Sequence, residues 1–142
     1  MRLGGIDVPS DVHCAGHSDG DAICHAVTDA MLGAAAMGDI GEMFPDTDAA
    51  NKGKDSLVML GAAVERLRHA GWRVSNVDIT VVTQLPKIGP QRTAMRERLA
   101  SVLGVSFDDV FVKGKTNEGM GWIGRGEGLA VMAVATIVRS LA

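Results

Sequence analysis

The segment Val77 to Val82 (VDITVV) alternates apolar and polar side chains and is rich in β-branched residues, while the stretches before and after it repeat their apolar residues every three or four positions. A period of two set between periods near 3.6 leaves few solutions, because helices that flank a strand must cross over and cover a sheet. Before it, Ala22, Ile23, Ala26, Val27, Ala30 and Met31 predict a helix that starts at Ser18, in a Ser-x-x-Asp arrangement, and runs to about Met37, with Gly38 and Gly41 ending it. A second helix, capped by Asp55 or Ser56, carries Leu57, Leu60, Val64 and Leu67 on one face and stops at Gly71.

The remaining elements follow the same logic. Leu3 to Val8, closed by Pro9, reads as a brief strand, and Pro86 and Pro90 fence off a loop before a third helix from about Gln91 to Leu103. Val110 to Lys115 and Leu129 to Val138 read as two further strands around a glycine-rich segment, Thr116 to Gly128. Phe44 to Lys54 is too rich in Asp, Asn and Gly for regular structure and is a candidate binding loop. The order is that of an α+β fold, a mixed β-sheet with helices packed on one face. The other face is apolar along Leu129 to Val138, and self-association is the simplest way to cover it.

Composition excludes several classes. A chain of 142 residues is expected to form one domain, residues 1–142. Its longest uncharged apolar stretch is far below the ~20 residues of a membrane span. No secretory signal is visible, and Cys14 and Cys24 are the only thiols, so a cytoplasmic location is expected. The net charge of −3, with basic residues scattered, argues against nucleic acid. Eighteen glycines against five aromatics point to backbone that approaches something closely, and phosphate is a common reason.

Four groups of residues carry chemistry. His17 and Ser18 lie at a predicted helix start, where free N–H groups favour an anion, although a plain cap explains Ser18 as well. Asp21, His25 and Asp29, spaced by four, form one polar stripe, which suits either an oriented metal-ligating histidine or a hydrogen-bonded one. Asp39, Glu42, Asp46, Asp48 and Asp55 supply carboxylates for hydroxyl or metal contacts, or a solvated acidic loop. Lys113 to Glu118, followed by glycines and Arg125, offers cations for phosphate and a carboxylate for a divalent ion. It is not a Walker loop, because the lysine precedes the glycines.

The segments LGGIDVP, GHSDGDAICHAVTDAMLGAAAMGDIGEMFPDTD, NVDITVV, QLPKIGP and VKGKTNEGMGWIGRGEG, in this order from Leu3 onward, resemble the 2-C-methyl-D-erythritol 2,4-cyclodiphosphate synthases of the non-mevalonate isoprenoid pathway. The resemblance implies a homotrimer with inward-facing sheets and active sites between subunits, a small-molecule CDP substrate, and cyclisation with release of CMP. It implies Zn2+ or another divalent cation on His25, and Mg2+ or Mn2+ on Glu118. His17 and Thr116 correspond to the residues flanking the reacting phosphates, with Ser18 beside them. Asp39, Ile40 and Gly41 correspond to a ribose-contacting turn, and Phe44, Pro45, Asp46, Thr47 and Asp48 to a loop over the erythritol moiety. The cytidine pocket maps to Thr83 to Pro90, including Lys87, and to Lys113 to Glu118, including Lys115 and Asn117; Trp122 and Arg125 map near the trimer core.

Two departures stand out. Gly114-Lys115-Thr116-Asn117-Glu118 replaces the family's Ala-Thr-Thr-Thr-Glu, keeping the threonine and the glutamate. The family's Asp-x-His zinc ligands lie on a strand before the position of Leu3, and Asp11-Val12-His13 has the same letters in the loop that follows. Two alternatives therefore stand: a non-catalytic trimer that binds CDP or isoprenoid diphosphates without its zinc site, and a metal-dependent phosphohydrolase built on Asp11, His13, His17 and His25.

Overall fold

A computed structural model of the chain describes residues 1–16 and 18–141. It opens on a hairpin of two short antiparallel strands, β1 (Arg2–Leu3) and β2 (Ile6–Asp7), where one brief strand was expected. Gly4 and Gly5, at φ 63° and 76°, make the two-residue turn, a conformation that side chains resist at both positions. The Gly-Gly pair between apolar residues was the signal for it.

Helix α1 spans Ala22–Ala34, and α2 is the single turn Ile40–Met43. A short 3₁₀ turn, Ala49–Asn51, precedes α3 (Ser56–His69). The long strand β3 (Trp72–Val82) then leads through a second 3₁₀ turn, Gly89–Gln91, to α4 (Arg92–Leu103). A third 3₁₀ turn, Phe107–Asp109, precedes β4 (Val110–Lys115), and the single-turn α5 (Gly121–Gly124) precedes β5 (Ala130–Arg139). The main sheet has the order β4-β3-β5, with β4 parallel and β5 antiparallel to β3. It is the mixed sheet of the expected α+β class.

Alternation decides what is buried. Val77, Ile79 and Val81 of β3 and Val110 and Val112 of β4 face the helices and are almost fully excluded from solvent, together with Ile23, Val27, Met31, Leu60, Leu67, Met95 and Leu99. Along β5 the inward positions are Val131, Ala133, Ala135 and Ile137, and the two small alanines between the larger side chains let α1 lie closely over that strand. The outward residues Met132 and Val134 of β5 and Phe111 of β4 stay exposed, next to the Lys113–Asp78 ion pair at 2.7 Å. Among the described residues no helix is long and apolar enough to cross a membrane.

Several boundaries differ from expectation for local reasons. Ser18 does not cap α1; Asp21 does, accepting from the Cys24 N–H at 3.1 Å. The helix ends at Ala34 rather than near Met37. Met37 N–H bonds Leu32 O at 2.9 Å and Ala36 N–H bonds Gly33 O at 3.0 Å, a Schellman stop whose left-handed position is Ala36 at φ 54°. Gly41 lies inside α2 instead of ending α1. Asp55, not Ser56, caps α3. The Phe44 to Lys54 segment contains the Ala49–Asn51 turn, begun by Asp48 accepting from Ala50 N–H at 2.9 Å, so it is not wholly irregular.

Candidate active site

The proposed polar stripe along α1 separates into three different environments. Asp21 is fully buried, and its carboxylate accepts from Gly4 N–H at 2.9 Å, Gly5 N–H at 2.7 Å, Cys24 N–H and the Cys24 thiol at 3.3 Å. It binds the hairpin turn to the start of α1 and is no ligand. Burial, reinforced by Asp21, pushes the Cys24 thiol well above its ordinary range. Asp29 points the other way and accepts the Ile40 N–H at 2.8 Å, which anchors α2 to α1.

His25 lies between them and faces α3. Its Nε2 is 2.8 Å from Ser56 Oγ and 3.0 Å from Ser18 Oγ. Ser56 donates its hydroxyl to Asp19 Oδ1 in a very short bond, and its N–H to Asp19 Oδ2 at 3.0 Å. Burial alone would raise the Asp19 carboxyl, but the Ser56 hydroxyl and N–H, the Asp21 N–H and the nearby Arg2 hold it below the usual carboxylate value. Because the Ser56 proton is committed to Asp19, Ser56 presents a lone pair to His25, so Nε2 is best satisfied as a donor.

Beside this cluster lies a cavity of about 150 Å³ lined by Ser18, His25, Ile40, Gly41, Phe44, Asp46, Asn51 and Met59. Residues from three separate predicted segments are therefore brought together. Asp39 lies at its edge as the N-cap of α2, accepting from Glu42 N–H at 2.8 Å. The loop over the cavity is held by Asn51 Nδ2, which donates to Pro45 O at 2.7 Å, and by the Lys54 ammonium 5.0 Å above the Phe44 ring. Asn51 belongs to the candidate binding loop, whereas Ser56 and Met59 were missed; the polar Ser56 on the first turn of an otherwise apolar helix face was the available signal.

A second wall comes from the ends of β3 and β4. These strands run parallel, so the loops after Val82 and Lys115 leave the same end of the sheet. Thr83 N–H bonds Lys115 O at 2.8 Å, and Asn117 N–H bonds Gln84 Oε1 at 2.7 Å. Glu118 is exposed and adopts φ 54°, a strained conformation for a side chain that the turn holds in place. A cleft of about 1370 Å³ runs between Pro9–Gly16, Thr83–Lys87 and Gly126–Leu129, and His25 lines both it and the smaller cavity. Lys87, Asp11 and His13 line the cleft, whereas Lys115, Thr116 and Glu118 sit beside it. Trp122 is exposed and packs on Gly128, and Arg125 pairs with Glu127 at 2.7 Å. His17 lies outside the described residues.

The donor set around His25 is one imidazole and two hydroxyls. Among the described residues no group of three or more His, Cys, Asp or Glu side chains could hold a metal ion. The expected zinc site does not fit these residues, because a catalytic zinc draws three protein ligands from nitrogen, sulfur or carboxylate oxygen. Asp11 and His13 do not complete it. Glu118 is different: an exposed carboxylate suits a hard divalent ion that takes its other ligands from phosphates and water.

The YgbB family model matches residues 1–138. The chain belongs to the YgbB family. A relative from Gemmatimonas aurantiaca, named 2-C-methyl-D-erythritol 2,4-cyclodiphosphate synthase, is 80% identical over 97% of this chain and 83% of its own length. A relative of the same name from Laribacter hongkongensis is 55% identical over 96% of this chain and 85% of its own length. Among solved structures, the bifunctional IspDF from Campylobacter jejuni superposes with a TM-score of 0.93 at 38% identity, covering 99% of this chain and 38% of that one. The CDP complex of IspF from Plasmodium falciparum matches at a TM-score of 0.87 and 32% identity, covering 99% of this chain and 85% of that one. The YgbB fold thus holds a cytidine nucleotide in a solved neighbour.

Proposed function

We propose that this chain converts 4-diphosphocytidyl-2-C-methyl-D-erythritol 2-phosphate to 2-C-methyl-D-erythritol 2,4-cyclodiphosphate and releases CMP, as a cytoplasmic enzyme of one domain. The observation that carries the reading is the pairing of a small hydroxyl- and imidazole-lined cavity with a glycine-rich, cation-bearing loop pair, in a chain whose relatives bear that name.

In the reaction an oxygen of the substrate's 2-phosphate attacks the β-phosphorus, the bond from that phosphorus to the α,β-bridging oxygen breaks, and CMP departs with the bridging oxygen. A phosphate monoester with a second pKa near ~6 is largely dianionic at neutral pH, so the attack needs no strong protein base. The protein's task is to bring the two ends together and to neutralise charge. In this reading Ser18 and the His25 ring bind the erythritol phosphate, and the Phe44 to Asp48 loop closes over the carbon chain. Asp39, Ile40 and Gly41 meet the ribose, and Thr83 to Pro90 with Lys87 hold the base. Thr116, together with His17, faces the reacting phosphates, flanked by Lys115 and Asn117. A magnesium or manganese ion on Glu118 would supply charge neutralisation on the diphosphate. No step is assigned to zinc.

The exposed Phe111, Met132 and Val134 support a homotrimer in which this sheet face is buried, with Trp122 and Arg125 near its axis. CMP release from the cytidyl substrate, measured together with zinc content by elemental analysis, tests the reading. Release of CMP supports it. CDP binding with no CMP release favours the non-catalytic binding protein, and solvent oxygen in the product favours a hydrolase.

A further inference from the structure

We infer that Gln84 is a positioning residue: by accepting the Asn117 N–H it locks the turn that carries Thr116 and Glu118 to the loop that follows β3. This inference rests on the function proposed above and gives a side chain within the Thr83 to Pro90 segment a role other than holding the base.

The two loops leave neighbouring parallel strands, and their first connection is the backbone bond from Thr83 N–H to Lys115 O. Beyond it the chains diverge. Downstream, the turn ties itself together, with Asn117 Nδ2 donating to Met120 O at 2.7 Å and Met120 N–H to Asn117 O at 2.9 Å. These bonds shape residues 117–120 but do not place them against the other loop. Among the described residues, the 2.7 Å bond from Asn117 N–H to Gln84 Oε1 is the one side-chain hydrogen bond joining the two loops.

Its location gives it leverage. Asn117 lies between Thr116 and Glu118, and Glu118 sits at φ 54°, where a side-chain-bearing residue is strained. The internal bond from Glu118 N–H to Thr116 Oγ1 is long, 3.4 Å, and weak. Without the Gln84 acceptor, Asn117 N–H would turn to water and the turn would relax, moving both flanking side chains. Glutamine suits the task because its half-buried side chain reaches across the loops and offers a neutral acceptor, so no negative charge is added beside Glu118 and the phosphates. A displacement of about 1 Å at this distance from the reacting centre is enough to slow a reaction that depends on alignment.

The test compares Gln84→Met, which keeps length and removes the acceptor, with Gln84→Glu, which restores an acceptor. Amide hydrogen exchange at Asn117 is read by NMR, and steady-state CMP release is read alongside it. The expectation for Gln84→Met is Asn117 exchange faster by roughly tenfold, and kcat lower by roughly tenfold with KM for the cytidyl substrate changed less than about twofold. Gln84→Glu should recover the slow exchange and part of kcat. Unchanged Asn117 exchange in Gln84→Met overturns the inference. So does a rise in KM at constant kcat, which would make Gln84 an ordinary nucleotide contact. A wild-type chain that releases no CMP counts against the proposed function alone, because the exchange comparison still decides whether Gln84 holds the turn.

Discussion

Gly114 and Ile88 touch so closely that a β-carbon on Gly114 would fall 2.8 Å from Ile88 Cβ. Gly114 pairs with Val81 in the parallel register, and Ile88 belongs to the loop after β3, so this contact sets how near that loop lies to β4. Replacing Gly114 by Ala forces the loop outward. The expected cost is about 1–3 kcal/mol, measured by urea unfolding, together with weaker CDP binding by calorimetric titration. Unchanged stability and affinity would show that the loop yields freely.

Asp21 gives a sharper test. An Asn at this position keeps the shape but turns an amide donor toward N–H groups that need an acceptor. Asp21→Asn should lose about 3 kcal/mol of stability, with the loss concentrated in exchange protection at Gly4 and Gly5. Uniform loss across the chain would place the carboxylate's role elsewhere.

Ala36 occupies a position built for glycine. Ala36→Gly relieves the left-handed strain at the Schellman stop and should raise stability by about 0.5–1 kcal/mol, read from the unfolding midpoint at constant slope. A lower midpoint would mean that the freedom added to the unfolded chain outweighs the strain.

The lowered Asp19 carboxyl predicts a pH dependence of definite sign. Its contribution is complete above the unfolded value of about 3.9 and is lost as pH falls through the lower folded value. Ser56→Ala removes the hydroxyl that donates to it. The stability gap between wild type and Ser56→Ala should be widest near neutrality and narrow below about pH 4. A gap independent of pH would assign the loss to packing instead.

Both thiols should resist modification. Cys24 is buried against a carboxylate, and burial raises Cys14 as well, with Asp21 adding to the shift. At pH 7 each should react with Ellman's reagent more slowly than free cysteine, and Cys24 only as fast as the chain unfolds. Rapid labelling of Cys24 in the native state would contradict its environment.

The helices and most of the two long strands could be read from the sequence because their signals are local, although β3 starts at Trp72, five residues before the predicted Val77. Val110 to Lys115 has the predicted ends, and the apolar stripe of α3 is buried as expected. What escaped was decided across the chain. Asp21 displaced Ser18 as the cap because Gly4 and Gly5, distant in sequence, supply extra donors to it. Ser56 entered the site only through a partner 31 residues away, His25, and the bond that ties Gln84 to Asn117 spans 33 residues. The family resemblance supplied the grouping of Ser18, His25 and the 40–46 segment that spacing alone left open. It did not supply a zinc site that the described side chains could form.

The parallel pairing of β3 with β4 also bears on the order in which the molecule assembles. Both partners of β3 are distant in sequence: β4 pairs with it across 33 residues, through the α4 crossover, and β5 across 48 to 67. Closing that crossover costs chain entropy before it returns any contact. The sheet, and with it the Thr83–Lys115 link, therefore forms after the local helices. In a refolding reaction, helical signal should return before nucleotide binding does, and a chain arrested at that stage would be compact, largely helical and blind to its ligand.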